Sequence, residues 1–303
     1  MISITDPIQP AIAATRRILF EPIQARKWFV LGFCAFLANL GSGGSYNFNG
    51  NPWNQSNRQG GPDFRSAADW ITGHLPLVIA LGVALFVLIL ALSILFLWLS
   101  SRGQFMFLDG VARNQADIVQ PWTRFRDQGN RLFRFRLMLM LAAFAFLAVC
   151  VGFGVLIALP DLHEHTFGRP ALSALLGAGG VLLLGLLVLG LISVLLRDFV
   201  VPIMYHRNLD VSAAWDVLKR ELFPGHGWKF VGFYVMTFLL GIGAALLMLL
   251  GCCLTCCAAM LPYISSVVFL PLFVFFRCYS LGFLAQFGAG WLIIQMPQPA
   301  TET

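Results

Sequence analysis

The sequence predicts an all-α protein: a polytopic membrane helix bundle with six transmembrane helices, interfacial amphipathic helices between them, and three tandem helix-hairpin repeats. Two observations carry most of this. Long apolar runs occupy residues 75–99, 137–159, 171–196, 230–250 and 261–276, with a shorter one at 28–40. A bilayer core about 30 Å thick takes about 20 apolar residues of helix to cross. The composition agrees, since only 11% of residues are charged, against about 25% in soluble domains. Soluble and disordered classes are excluded. A third observation, the recurrence of one pattern along the chain, supplies the repeat.

The first 27 residues are mostly polar and contain no short hydrophobic region with a small-residue cleavage site, so no cleavable signal peptide is expected. Thr15-Arg16-Arg17 faintly matches a twin-arginine signal; two basic residues holding the N-terminus in the cytoplasm is the simpler reading. The first span, 28–40, is short. Extending it back to Ile23 takes in Arg26 and Lys27, which snorkel to the interface. Residues 41–61 hold six Gly and five Asn, so 41–74 reads as a mobile outer loop with too little apolar area to fold alone. Asn54-Gln55-Ser56 fits a glycosylation acceptor, a tripeptide common by chance.

Lys and Arg set the orientation. The N-terminal arm and the segments after spans two and four hold sixteen of them. The alternate loops hold three, Arg58, Arg65 and Arg169, and Arg277 stays within span six. Both termini are therefore expected on the cytoplasmic side. The net charge of +6 reflects this asymmetry. Basic residues interleaved with aromatic stacking platforms are absent, so no nucleic-acid partner is expected.

The cytoplasmic segments carry a helical stripe. Ile8, Ala11, Ile12, Thr15 and Leu19 are spaced like Val211, Ala214, Trp215, Leu218 and Leu222, and Ile118, Pro121, Trp122 and Phe125 repeat the first four steps. Asp6, Asp117 and Asp210 precede the stripes as expected helix caps. A Leu-Phe pair follows each one, at 19–20, 132–133 and 222–223. Arg102, Arg197 and Arg277 each end an even-numbered span. The expected organisation is one integral membrane domain over 1–303, with units of about 1–101, 102–196 and 197–291. Ala148/Gly152, Ser173/Gly177, Ala174/Ala178 and Gly241/Ala245 are candidate close helix contacts.

Charges at membrane depth are functional suspects. Arg277 lies 16 residues past Leu261, roughly 24 Å along a helix, which puts it near the cytoplasmic face. Three readings stand beside one another: a snorkelling arginine on lipid phosphate, a partner for Asp198 or Asp109, or an anion site shared with Arg102 and Arg197. The candidate polar cluster is Arg102, Asp109, Arg197, Asp198, Arg277 and Gln286.

Cys252, Cys253, Cys256 and Cys257 crowd into six residues, too close to wrap one tetrahedral metal ion. A small apolar turn, or a disulfide in an oxidising compartment, is the expected reading. His163-Glu164-His165 is expected in a short outer loop and supplies too few ligands for a metal site. No catalytic motif appears, so no enzyme activity, cofactor or metal is expected.

Residues 98–136, from Trp98-Leu99-Ser100-Ser101-Arg102 to the Pro121-Trp122-Thr123-Arg124-Phe125-Arg126 stretch, resemble an uncharacterised family of bacterial multi-pass inner-membrane proteins. So does the end, from Leu261-Pro262-Tyr263-Ile264 through Leu270-Pro271-Leu272 to Ser280-Leu281-Gly282-Phe283. That family is similar in style to the membrane domain attached to some glycerophosphodiester phosphodiesterases, and it implies a bacterial inner-membrane location. The catalytic domain of those phosphodiesterases has no counterpart in this sequence, and no functional residues carry over. The expected function is a non-enzymatic scaffold that binds membrane lipids, a protein partner or a second copy. The alternative is a transporter or channel for a small or anionic solute.

Overall fold

The computed structural model describes residues 2–40, 74–164, 168–254 and 262–294. Regular structure among them is entirely helical. The order is α1 (Ile8–Leu19), α2 (Ala25–Asn39), α3 (Leu75–Arg113), α4 (Val119–Arg124), α5 (Arg126–Glu164) and α6 (Arg169–Leu195). A π-helical turn, Leu196–Val200, joins α6 to α7 (Val201–Arg207). Then come α8 (Val211–Val217), a second π turn at Leu218–Leu222, α9 (Gly227–Leu254), α10 (Pro262–Val268) and α11 (Leu270–Ala285).

Four stretches are long and apolar enough to cross a membrane: Leu75–Arg113, Arg126–Leu159, Leu176–Arg207 and Gly227–Gly251. The first and last apolar runs of the sequence do not give helices of that length. α2 has only 15 residues, ending at Asn39 with Leu40 as its C-cap, just before the glycine-rich stretch. The last run is divided at Phe269, because Pro271 sits in the first turn of α11 and starts a new helix there. α5 continues to Glu164, so Pro160–Glu164 is helical rather than the outer loop expected from the sequence. The loop expected at 41–74 lies, except for its last residue, outside the described residues. So do Cys256, Cys257 and His165.

The long helices have two unlike halves. In α3, residues 75–97 are exposed almost throughout, whereas Ser100–Val111 are buried. Along α6 to α7, burial begins at Leu195 and holds to Met204, with only Arg197 partly open. At 1.5 Å per residue the 39 residues of α3 extend about 58 Å, nearly twice a bilayer core. The helices therefore leave the lipid-length region and enter a packed base. That base is built from Ala11, Ile18 and Leu19 of α1, Leu31 and Ala35 of α2, Phe105 and Leu108 of α3, Val201 and Ile203 of α7, Ala214 of α8, and Val274 and Phe283 of α11. Bare Leu, Ile, Val and Phe on the outer shafts suit hydrocarbon surroundings and would be an aggregation liability in water.

The glycines that permit close crossings are not those expected from small-residue spacing. A Cβ on Gly103 would lie 2.6 Å from the backbone of Leu37 and Ala38, so α2 rests directly on α3. A Cβ on Gly32 would lie 2.7 Å from the side chain of Val267 on α10. By contrast, a Cβ on Gly152, Gly177 or Gly241 would have nothing within 4 Å, whereas Gly154, beside Gly152, would bring its Cβ to 3.3 Å from Ala178.

Other details of the base differ from the sequence pattern. The buried face of α1 is Ala11, Ala14, Thr15, Ile18 and Leu19, which leaves Ile12 on the open side. Of the three expected caps, Asp117 accepts a hydrogen bond from Val119 N at 3.1 Å. Asp210 occupies the N-cap of α8 but pairs with Arg131 at 2.7 Å. α1 starts after Pro7 with no side-chain cap. At the other ends, α3 and α7 both stop on a left-handed asparagine, Asn114 (φ 56°) and Asn208 (φ 54°). Lys27 Nζ donates to Asn114 Oδ1, and Gln128 Nε2 donates to Asn208 Oδ1.

Candidate functional site: an arginine-lined cavity

The site begins with the π turn. In Leu196–Val200 the Val201 N–H bonds five residues back to Leu196 O. Widening the helix by one residue removes normal partners from nearby carbonyls, and such turns concentrate at functional sites. α11 answers two of those carbonyls with side chains. Arg277 Nη1 donates to Arg197 O at 2.8 Å and Ser280 Oγ donates to Asp198 O at 2.6 Å. Within the turn, Arg197 Nε donates to Asp198 Oδ1 at 3.0 Å. The Asp198 side chain is 12% exposed, while that of Arg197 stays 43% open.

A cavity of about 320 Å³ lies beside this turn. Asn39 of α2, Gln104 of α3, Arg197, Asp198 and Arg277 supply its polar lining. Gly241, Ala244, Ala245 and Met248 form one face of α9 along its apolar part, opposite Leu272, Phe273 and Phe276 of α11. Gly241/Ala245, expected as a helix contact, is thus a cavity wall.

Several buried polar atoms here have no protein partner: Oε1 and Nε2 of Gln104, Nε of Arg277 and the Tyr234 hydroxyl. Gln104 is only 2% exposed. Leaving such a group unpaired costs about 1–3 kcal/mol, so a ligand that meets these atoms gains what the free protein forgoes. The local charge is positive, with Arg197 and Arg277 facing the single carboxylate of Asp198. Arg136 adds to it, close enough to Arg197 for their charges to repel. Its Nη1 donates to Ser100 Oγ at 3.2 Å, and Ser100 Oγ donates to Ala38 O at 3.0 Å.

Of the six residues expected to cluster, Arg197, Asp198 and Arg277 share this cavity and the other three lie elsewhere. Arg102 sits over Trp98 and Trp122, 4.4 and 4.9 Å from their ring centres, and its Nη2 donates to Asn130 Oδ1 at 3.2 Å. Asp109 is held by Arg113 Nε at 2.9 Å and accepts the Tyr205 hydroxyl at 2.7 Å. Gln286 is paired with the backbone of Ser3, accepting from Ser3 N at 2.6 Å and donating to Ser3 O at 2.9 Å. Sequence reasoning missed Gln104, Arg136 and Tyr234. Gln104 carried a signal, an amide inside an otherwise apolar stretch two residues past Arg102. Tyr234 and Arg136 carried none beyond residue type.

Long apolar helices around a basic cavity define the class: an α-helical, multi-helix membrane protein. The chain belongs to a family of unknown function (DUF7544), whose model matches residues 2–294. No curated protein and no solved structure matches it.

Proposed function

We propose that this is a non-enzymatic integral membrane protein that binds an anion-headed lipid in the cavity beside Arg197 and Arg277. The observation that carries the reading is the pairing of opposites in one cavity. Buried, unpartnered donors and excess positive charge stand at one end and an apolar wall at the other. An amphiphilic anion matches both ends, and no nucleophile and base stand together there to act on it.

The proposal includes a single domain over 1–303 that crosses a bacterial inner membrane six times, with both termini in the cytoplasm. α2 and the broken α10–α11 pair supply the first and last crossings, supported by the charge asymmetry of the loops. Three tandem units are supported by the matching Arg113-Asn114 and Arg207-Asn208 endings, each held by a donor near the start of an earlier helix. The likeness to the membrane domain of some glycerophosphodiester phosphodiesterases is proposed for architecture only. A protein partner or second copy on the bare shafts is compatible with the same role.

The test is to purify the protein in mild detergent and identify bound lipids by mass spectrometry. Anionic lipids should be enriched over the bulk membrane, and the Arg197→Ala, Arg277→Ala double variant should lose the enrichment. Bound lipid that mirrors the bulk membrane in both proteins refutes the reading.

A second reading is transport of a small or anionic solute. It is favoured by the π turn and the break at Phe269, since helix discontinuities often mark transport sites. Thiol labelling of single cysteines along the 241–248 face of α9 separates the two: a continuous water-accessible face supports transport.

A further inference from the structure

Resting on the anion-binding reading above, we infer that the bound anion is a lipid whose head also carries hydroxyl groups, a phosphoglycerol-type head, with its tail laid along α9. Three features of the cavity point there.

The first is charge. Asp198 is the one carboxylate at the polar end, and it is already committed to Arg197 at 3.0 Å. No second acid among the lining residues is available for the ammonium of a zwitterionic head. The cavity thus selects a head with net negative charge.

The second is the amide of Gln104. Both its ends, the oxygen and the NH2, are buried and unpartnered, so each needs a partner whichever way the amide is turned. A phosphate or carboxylate oxygen accepts only, and satisfies the NH2 end. The carbonyl end needs a donor, and neither a phosphate diester nor a carboxylate has one. A hydroxyl beside the anion supplies it. The buried Tyr234 hydroxyl, within electrostatic reach of Asp198, is a further unpartnered group at this end of the bundle. The space agrees: about 320 Å³ is room for roughly ten water-sized groups, about the number of heavy atoms in a phosphoglycerol head.

The third is the wall. Gly241, Ala244, Ala245 and Met248 recur at helical spacing on one face of α9, and the position of the missing Gly241 Cβ is open for 4 Å. α9 is among the helices long and apolar enough to span the bilayer, and its remaining surface is largely exposed. A trough on such a helix runs from the arginines towards hydrocarbon, the course an acyl chain takes.

The full-length protein, delipidated in detergent, is titrated by native mass spectrometry with four probes. Three are lipids of matched chains: phosphatidylglycerol, phosphatidylmethanol (a singly charged diester with no hydroxyl) and phosphatidylcholine. The fourth is glycerol phosphate without chains. Phosphatidylglycerol should bind about fivefold tighter than phosphatidylmethanol, the worth of one neutral hydrogen bond, and more than tenfold tighter than phosphatidylcholine. Gln104→Leu, which removes both ends of the amide, should weaken phosphatidylglycerol and phosphatidylmethanol and erase the difference between them. Gly241→Leu should weaken both anionic lipids. Glycerol phosphate should bind at least a hundredfold more weakly than the lipid.

Equal binding of phosphatidylglycerol and phosphatidylmethanol to the wild-type protein overturns the hydroxyl assignment and leaves the anion site standing. Glycerol phosphate binding as tightly as the lipid overturns the tail assignment and favours a free solute. Phosphatidylcholine binding as tightly as phosphatidylglycerol overturns both this inference and the reading beneath it.

Discussion

Replacing Gly103 by alanine tests how α2 seats on α3. The added methyl would stand 2.6 Å from Ala38 N, Leu37 C and Leu37 Cβ. Comfortable carbon contacts are about 3.5–4.0 Å, so the helices must part by about 1 Å. Two of the three atoms are backbone and cannot swing aside, which puts the cost near the upper end of the overpacking range, about 3 kcal/mol. Separation also stretches the Ser100 Oγ to Ala38 O bond, now 3.0 Å, adding about 1 kcal/mol. At roughly 2–4 °C per kcal/mol the melting temperature should fall by about 8–16 °C.

Thermal unfolding in detergent, read with a thiol-reactive dye, suits the measurement because Cys34 on α2 is 1% exposed and becomes reactive when α2 lifts. Gly241→Ala is the matched control, with open space at its Cβ, and should melt within about 2 °C of wild type. If Gly103→Ala melts with wild type, or both variants fall alike, the packing argument is wrong.

Further expectations follow from the other polar contacts. Arg102→Lys should lose most of the stacking on Trp98 and Trp122, about 1–2 kcal/mol in all, and shift tryptophan emission; an unchanged spectrum and melting curve counts against it. Tyr205→Phe removes a donor from the nearly buried Asp109 and should cost about 1.5–3 kcal/mol by denaturant unfolding, with no loss expected if the carboxylate is served by Arg113 alone. Glu221 accepts from Arg207 at 2.9 and 2.8 Å, and these bonds hold its carboxyl below the usual carboxylate range. Its stabilisation is present above the unfolded value near about pH 4.3 and is lost as pH falls through the lower folded value. Because the pair is largely exposed, the effect should stay under about 1 kcal/mol, and Glu221→Gln should remove that part of the acid sensitivity of the melting curve. Reporter fusions should place the two tails on one side of the membrane; opposite sides would reject six crossings.

The helical membrane class was legible because apolar runs of bilayer length have few other physical explanations. The charged part of the site was legible for the same reason in reverse: Arg197, Asp198 and Arg277 stand out against apolar neighbours. What joins them was not. A π turn inserts one residue without altering composition, so the exposed carbonyls of Arg197 and Asp198 that bring Arg277 and Ser280 to the turn leave no mark in the pattern. Gly241 and Gly103 show the limit of spacing rules. Small residues permit close approach wherever a partner exists, and only the fold decides whether one does. Ile12 shows another limit, since two overlapping stripes share Ala11, Thr15 and Leu19 and differ mainly in whether Ile12 or Ala14 and Ile18 turn inward.

The division of each long helix into a bare shaft and a packed root has a mechanical consequence. Interlocked side chains resist deformation, whereas shafts touching mainly hydrocarbon can tilt at small expense. A thinner or thicker bilayer will therefore be accommodated along the shafts, beyond the packed base, with the geometry around Arg197 and Arg277 at the cavity's charged mouth conserved. Affinity at that mouth should then be insensitive to acyl length in the surrounding membrane, even as the splay of the shafts changes with it.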